Sequence, residues 1–464
     1  MKSGLTDMTV GSPLRHIIKF SVPLLIGNVF QQFYSIADSY IVGNFIGTDA
    51  QAAVIIGMPV FFLVIALFAG LGMGATIILS QNYGAKEMET VRRTIRTIYS
   101  CIYIASIPLT VIGVLVTPSL MRLLGVPESA MDMAVTYVTI TFIGLIGLMG
   151  FNFNAGILHG LGDSKTPLRF IIISSVINIA LDLLFILVFK WGIAGVAFAT
   201  VIAQTFSWLY GIWYIKKKYP ELELSLFKVG LDKVILLKIV RVGVPSAIQQ
   251  SLFAVGMLAM QNLINRGGAD FIAGFGIANR IDAFVFLPVF SFFAALSTFT
   301  GQNIGVKQID RVKQGLRVTL IAALSMYAVI AFLVLTFGQH LLAQFNSDPE
   351  VVGYGMRYLF SVLPFSFLII IQFMLVAVMR GAGQVMVPVF TTIAGFILVR
   401  IPAAYLLERY LGMDYIFYCF AIGWVVSLTA AIIVFSTGRW KTKSLVIHTE
   451  EVSVEESAKE EPAR

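Results

Sequence analysis

The chain has 464 residues and a formal charge of +8; 58% of its residues are hydrophobic and only 12% charged. Ordinary soluble domains carry about 25% charged residues, so the composition excludes a water-exposed globule and selects lipid as the solvent, where a helical bundle is apolar outside as well as inside. The basic residues sit in short segments between apolar runs, with no basic groove or interleaved aromatics, which argues against nucleic acid as a partner and for positive charge retained on the cytosolic face.

A membrane span needs about 20 mostly apolar residues. In chain order such runs predict twelve transmembrane helices in an all-α integral membrane protein. The first six lie at 17–43, 53–79, 94–117, 132–158, 169–189 and 193–215; the second six at 239–265, 275–299, 316–341, 351–378, 388–408 and 414–437. The predicted domains are an N-lobe over 1–215, a charged cytosolic linker over 216–238, a C-lobe over 239–437 and a cytosolic tail over 438–464. The acidic stretch of that tail, from Glu450, is expected to be disordered.

Orientation follows from lysine and arginine in the short loops. One set of loops holds Lys86, Arg92, Arg93 and Arg96, then Lys165 and Arg169, the Lys216–Lys238 linker, and Lys307, Arg311, Lys313 and Arg317; the opposite set holds little beyond Arg122, Lys190, Arg266 and Arg409. The basic set is expected in the cytosol, with both termini, in a multi-pass protein of the inner cell membrane. No cleavable leader is expected, because the first apolar run is long, contains Pro23 and lacks a small-residue cleavage site. Cys101 and Cys419 fall inside apolar runs and the four histidines show no ligand spacing, so neither a disulfide nor a resident metal or cofactor is expected.

The chain repeats itself. Gln81-Asn82-Tyr83-Gly84-Ala85-Lys86 matches Gln302-Asn303-Ile304-Gly305-Val306-Lys307, His159-Gly160-Leu161-Gly162 followed by Pro167 matches Arg380-Gly381-Ala382-Gly383 followed by Pro388, and Val22-Pro23 matches Val244-Pro245. All three pairs fall at nearly one offset. An even number of spans per half makes this a parallel internal repeat of two six-helix lobes, an architecture of transporters that rock two halves.

A carboxylate inside a span costs about 2.5–3.5 kcal/mol on insertion scales, which makes it a functional candidate. Asp38 lies in the first span and Asp182 in the fifth. At a rise of about 1.5 Å per residue they sit about 7 Å and about 10 Å from the outer ends of their helices. Asn178 stands one turn from Asp182, and Tyr34 one turn from Asp38; Thr200 in the sixth span and Tyr137 in the fourth count to similar depths. If these spans face one another they form a polar nest. Two carboxylates in low dielectric do not both stay ionised without a partner, so the nest suits a proton. Asp38, Asn178, Asp182 and Thr200 with a carbonyl equally supply the oxygen ligands that suit sodium. The alternative is that these groups merely hydrogen-bond neighbouring helices together. The matching positions of the second half, near Met260, Val399, Ala403 and Ala421, are apolar, so one lobe is specialised.

Arg400 lies within the eleventh span and Asp282 near the outer part of the eighth, at similar depth, which predicts an ion pair, with a substrate contact as the alternative. Pro23 and Pro245 open a gap in the hydrogen bonding of the first span of each lobe, as static kinks or as hinges. Gly160 to Pro167 is glycine-rich but is not a phosphate loop, because Ser164 and His159 stand where that motif needs its two glycines. With no such motif the energy for transport is expected from an ion gradient, and with no nucleophile–base pair or metal cluster the chain is not expected to be an enzyme.

The duplicated lobes, the Gln-Asn-x-Gly-x-Lys loops, Gly160-Leu161-Gly162-Asp163-Ser164-Lys165-Thr166-Pro167, Asn178-Ile179-Ala180-Leu181-Asp182 and Arg400-Ile401-Pro402 together resemble the multidrug and toxic compound extrusion (MATE) family, over nearly the whole chain to about Gly438. The resemblance implies two six-helix lobes enclosing a cleft, and export of organic cations and amphipathic drugs in exchange for protons or sodium. It looks closest to the prokaryotic branch with a cation site in the N-lobe, where Asp38, Asn178 and Asp182 match the site and Tyr34, Tyr137 and Thr200 match its polar surroundings. A branch with carboxylates in the seventh and tenth helices fits less well, because this chain has Gln249, Gln250 and Gln372 there. Asn152 and Asn154 match a fourth-helix asparagine but count to a depth far from Asp38.

The function expected is therefore cation-coupled antiport by alternating access, with H+ or Na+ as coupling ion, lipid and small amphipathic or cationic molecules as partners, and a monomer as the working unit. Met257, Met260, Phe253 and Phe286 are candidate walls for varied substrates. A flippase for a lipid-linked precursor is the nearest alternative, but it favours a strongly cationic cavity and Arg400 is nearly alone. An ion channel ranks below it, because pores use rings of like residues from symmetric subunits.

Overall fold

The computed structural model describes residues 5–47, 66, 68–224 and 230–447. The first part of the second predicted span and the acidic tail from Glu450 lie outside the described residues. Within them the chain is helical, with no strand. Eight helices are long and apolar enough to cross a membrane, and ten if each of two bent pairs is one span. The remaining two of the expected twelve are α1 (Pro13–Phe45) and α2, described as helix over 68–84. α1 is 33 residues long, but Asn28, Gln31, Gln32, Asp38 and Asn44 make it more polar than the rest. Large apolar side chains such as Leu115, Leu258, Phe332 and Leu398 are exposed, as a lipid-facing surface requires.

Packing divides the chain into two compact units. One is built on Ile26–Gly243 with the chain end from Val446, the other on Met8–Leu25 and Val244–Leu445. The borders thus fall inside α1, beside Pro23, and inside α8 (Lys233–Ile264), beside Pro245.

The first unit contains α2, α3 (Met88–Leu123), α4 (Glu128–Ile143), α5 (Leu145–Gly160), α6 (Lys165–Leu183) and α7 (Gly192–Lys218). α5 packs against α3, α6 and α7. The fourth predicted span, 132–158, is not one straight helix: α4 and α5 meet at 55°. Gly144 sits at the break, where an added Cβ would come within 2.3 Å of Val201. Only glycine tolerates that approach, and glycine is also the weakest residue to hold a helix straight. Asn154 binds three helices: it accepts from the Tyr99 hydroxyl on α3 and donates to the Trp208 carbonyl on α7 at 3.1 Å.

In the second unit α9 (Ala269–Gly305) is largely buried, packed on α10 (Ile309–Ala343), α11 (Pro349–Val362) and α12 (Phe367–Gly381). The tenth predicted span, 351–378, is likewise bent, by 49°, at a short 3-10 turn containing Pro364, which has no N–H to continue the helix. The eleventh runs as α13 (Met386–Thr392), a π-helical segment Ile393–Arg400, and α14 (Ile401–Leu411), and the twelfth includes α15 (Tyr418–Ser436).

The two Gln-Asn loops take the same shape. Lys86 and Lys307 both adopt positive φ, at 64° and 58°. In each unit the loop clasps a buried residue of a chain end. Asn82 Oδ1 accepts from the Ile447 amide at 3.0 Å while Thr90 donates to the Ile447 carbonyl at 3.0 Å. Gln302 Oε1 accepts from the Met8 amide at 2.8 Å, and Arg311 donates to the Met8 carbonyl at 3.0 Å through Nη2. Hydrogen bonds from a charged donor to a buried carbonyl contribute about 1.5–3 kcal/mol. Arg311→Ala is expected to lower the thermal midpoint of the purified protein by several degrees, with Arg311→Lys losing less; equal midpoints for all three would show that the clasp adds nothing.

Candidate functional site

α1, α4, α6 and α7 bring the six residues picked out in the first half into one cluster within the first unit. Asp38 and Asp182 interact through their carboxyl groups. The Tyr34 hydroxyl lies against Thr200, and Tyr137 is near enough to feel the charge of both carboxylates. Asn178 Nδ2 donates to Thr200 Oγ1 at 3.2 Å. Asn178 and Asp182 are 2% and 0% exposed. With no proton between the two carboxyl groups, Asp38 Oδ1, Asn178 Oδ1 and both Asp182 oxygens are, among the described residues, buried without a hydrogen-bond donor. Each unmet oxygen costs about 1–3 kcal/mol, more when charged. Four of them gathered in one cluster form an acceptor-only set, which a hard cation or a proton satisfies. Among the described residues no group of three or more histidine, cysteine or acidic side chains has metal-site geometry, so the set draws on an amide and hydroxyls as well.

A cavity of about 60 Å³ adjoins the cluster, with Tyr34, Asn178 and Thr200 on its wall together with Gln31, Ser174, Ser175 and Gln204. Those four are not among the residues that intramembrane charge singles out. Their signal was helical spacing: Gln31 is three residues before Tyr34, Ser174 four before Asn178, and Gln204 four after Thr200. Just beyond Asp182 the helix winds into a π segment, Leu184–Val188. Such segments are rare and frequent at functional sites.

The second unit places its two singled-out charges differently from the expectation. Asp282 and Arg400 line one cavity, but no ion pair closes between them. Asp282 Oδ2 accepts from the Tyr358 hydroxyl at 3.1 Å. The Arg400 guanidinium lies on the Phe420 ring, 3.2 Å from its centre, and beside Phe396 at 4.5 Å. Arg400 ends the π segment, whose wider winding turns the side chain onto the aromatic faces. Gln249 and Gln372 of this unit carry no acid, and Gln249 is held between Arg380 at 2.8 Å and Thr392 at 3.2 Å.

Comparison with known proteins decides the family. The MatE family model matches the chain over residues 23–184 and again over 245–406. The chain belongs to the MATE family. A Bacillus subtilis (strain 168) relative named as a probable multidrug resistance protein, YpnP, is 33% identical over 440 residues, covering 95% of this chain and 98% of its own. A second from the same organism, YoeA, with the same description, is 32% identical over 408 residues, covering 86% and 88%. An outward-facing multidrug resistance MATE transporter of the MOP superfamily matches with a TM-score of 0.86 at 25% identity, over 95% of this chain and 97% of that one. This MATE protein is therefore a multi-pass membrane transporter. The first family match carries Asp38 and Asp182, and the second carries Asp282 and Arg400.

One further group in this MATE chain was passed over in the sequence. Asp163, 5% exposed, sits in the loop between α5 and α6. Its Oδ1 accepts from the amides of Lys165 and Thr166, each at 3.0 Å, and its Oδ2 from Thr166 Oγ1 at 2.6 Å, Lys218 Nζ at 3.1 Å and the Tyr219 hydroxyl. The carboxylate ties the start of α6 to the end of α7, the two helices that carry Asn178, Asp182 and Thr200. The signal was present, since an aspartate just before a helix that starts Lys-Thr-Pro is a helix-start pattern.

Proposed function

We propose that this MATE protein is a cation-coupled antiporter that exports organic cations and amphipathic drugs by alternating access of two lobes, from the inner membrane of the cell, as a monomer with both termini in the cytosol. The observation that carries the reading is the acceptor-only cluster in the first unit: four buried oxygens without partners, two of them on Asp182. Their unmet cost is recovered when a cation enters, so cation occupancy favours whichever conformation holds the cluster closed. A proton is shared between the two carboxylates; sodium is held by Asp38, Asn178, Asp182 and Thr200. Tyr34, set against Thr200, and Tyr137 complete the polar surroundings of the carboxylates in either case.

Pro23 and Pro245 act as hinges in this reading, supported by the unit borders that fall beside them. Pro23 removes a backbone hydrogen bond in the helix that carries Asp38, so a change of charge at Asp38 is relieved by bending α1. The multidrug descriptions of the relatives support drug-like cargo. The test is efflux of a fluorescent organic cation from liposomes under an imposed proton gradient and, separately, an imposed sodium gradient. Acceleration by one gradient names the coupling ion; a rate indifferent to both removes the antiport reading.

A further inference from the structure

The second unit holds a half-open cavity of about 240 Å³. Its walls are aromatic, with Phe253, Phe286, Phe396, Phe420 and Trp424, and Arg400, Asp282 and Gln372 supply its polar groups. Arg400 is 5% exposed, and its Nε is buried without a hydrogen-bond partner. The Cys419 thiol beside it is a weak acceptor at best. An arginine has five N–H donors and stays charged in proteins. Phe420 and Phe396 cover the face of the cation but satisfy none of those donors. Opposite in character, Asp282 Oδ1 and Gln372 Oε1 are buried acceptors without a partner, Asp282 Oδ2 being engaged by Tyr358. A buried charge whose Nε is left open beside a buried acceptor pair, in one aromatic box, is costly unless something bridges them.

We propose that this cavity is a binding site for a flat aromatic carboxylate of one or two rings that carries a hydrogen-bond donor at its far end. The carboxylate is held by Arg400 in the forked geometry that guanidinium favours. The donor is received by Asp282 and Gln372, and the rings lie among the phenylalanines and Trp424. The volume is below that of a drug-sized pocket, roughly 300–1,000 Å³, which sets the limit at two rings. Gly395 and Gly423 make the box possible. Each would place a Cβ 2.6 Å from the other's carbonyl oxygen, so only glycine lets the π segment bearing Arg400 lie close enough to α15 for its guanidinium to rest on Phe420. A purely cationic ligand leaves the Arg400 donor unmet, so this class differs from the organic cations of the antiport reading. Binding at this site does not depend on coupled transport.

The test uses the purified full chain in detergent and three probes: 6-hydroxy-2-naphthoate, 2-naphthoate without the donor, and 2-naphthol without the carboxylate. Binding is followed by titration calorimetry. The wild type is expected to bind 6-hydroxy-2-naphthoate saturably, at least about tenfold more tightly than 2-naphthol, and Arg400→Gln is expected to erase that preference. Gln372→Leu keeps the cavity volume and leaves Arg400 in place; it is expected to reduce the preference for the hydroxylated over the plain naphthoate, Asp282 remaining as the other acceptor, and it carries the test should Arg400→Gln fail to fold. No saturable binding, equal affinity for naphthoate and naphthol, or preferences unmoved in the folded variants overturns the proposal and leaves the cavity to water.

Discussion

Asp182→Asn is expected to cut gradient-driven efflux by about a hundredfold while the protein remains folded. Asparagine keeps the shape of the side chain and removes its charge. The amide also brings two donors into a cluster that has four acceptors without partners, so thermal stability is expected to hold or rise. What is lost is the gain on cation binding, and with it the shift of population that couples the ion to the substrate. Asp38→Asn is expected to do the same. The double variant is expected to be no worse than either single one, because both carboxylates act on one cation and groups that act as a unit are not additive. Efflux assays on the three variants, with thermal unfolding as the control for folding, check this. A double variant that multiplies the two losses would mean that the carboxylates act on separate steps.

Asp163→Asn is expected to give the largest loss of stability from a residue outside the spans. Burial pushes the Asp163 carboxyl up, but the hydrogen bonds from the Thr166 side chain, Tyr219 and the Thr166 amide, with the charge of Lys218, outweigh it and hold the carboxyl below its usual range. A carboxyl depressed in this way contributes its stabilisation fully above the unfolded value, near 3.9, and loses it as the pH falls through the lower folded value. At neutral pH the wild type therefore has the whole contribution. The neutral amide of the variant leaves Lys218 without its carboxylate and removes one charge-assisted partner from Thr166 and Tyr219, at a cost of about 2–4 kcal/mol. Thermal midpoints measured from pH 3 to pH 7 are expected to lie several degrees lower for Asp163→Asn at pH 7 and to converge with the wild type at the acid end. Equal midpoints at pH 7 would show that the loop does not hold α6 and α7 together.

Depth along a helix was legible in the sequence, and rotation about it was not. Each residue adds a fixed rise, so counting from the ends of the apolar runs put Asp38, Tyr137, Asp182 and Thr200 at one level, and the structure has them meeting. The same counting put Asp282 level with Arg400 and suggested an ion pair. There the π segment Ile393–Arg400 changes the turn of the helix, and an aromatic ring takes the guanidinium instead. The bends at Gly144 and Pro364 were also hidden, because an apolar run reads the same whether the helix beneath it is straight or broken. Asn154, which counts to a different depth from the carboxylates, has Tyr99 and the Trp208 backbone as its partners. Asp163 lay in a loop, where hydropathy carries no signal; only its position before a helix start marked it.

The central claim is that cations move through the Asp38–Asp182 cluster in exchange for substrate. The most direct measurement loads liposomes with an organic cation, dilutes them into substrate-free buffer, and records proton or sodium movement in the opposite direction, for the wild type and for Asp38→Asn. The account predicts a counter-flow with the wild type and none with Asp38→Asn, which remains folded and still binds the substrate. Counter-flow of equal size with Asp38→Asn would contradict it.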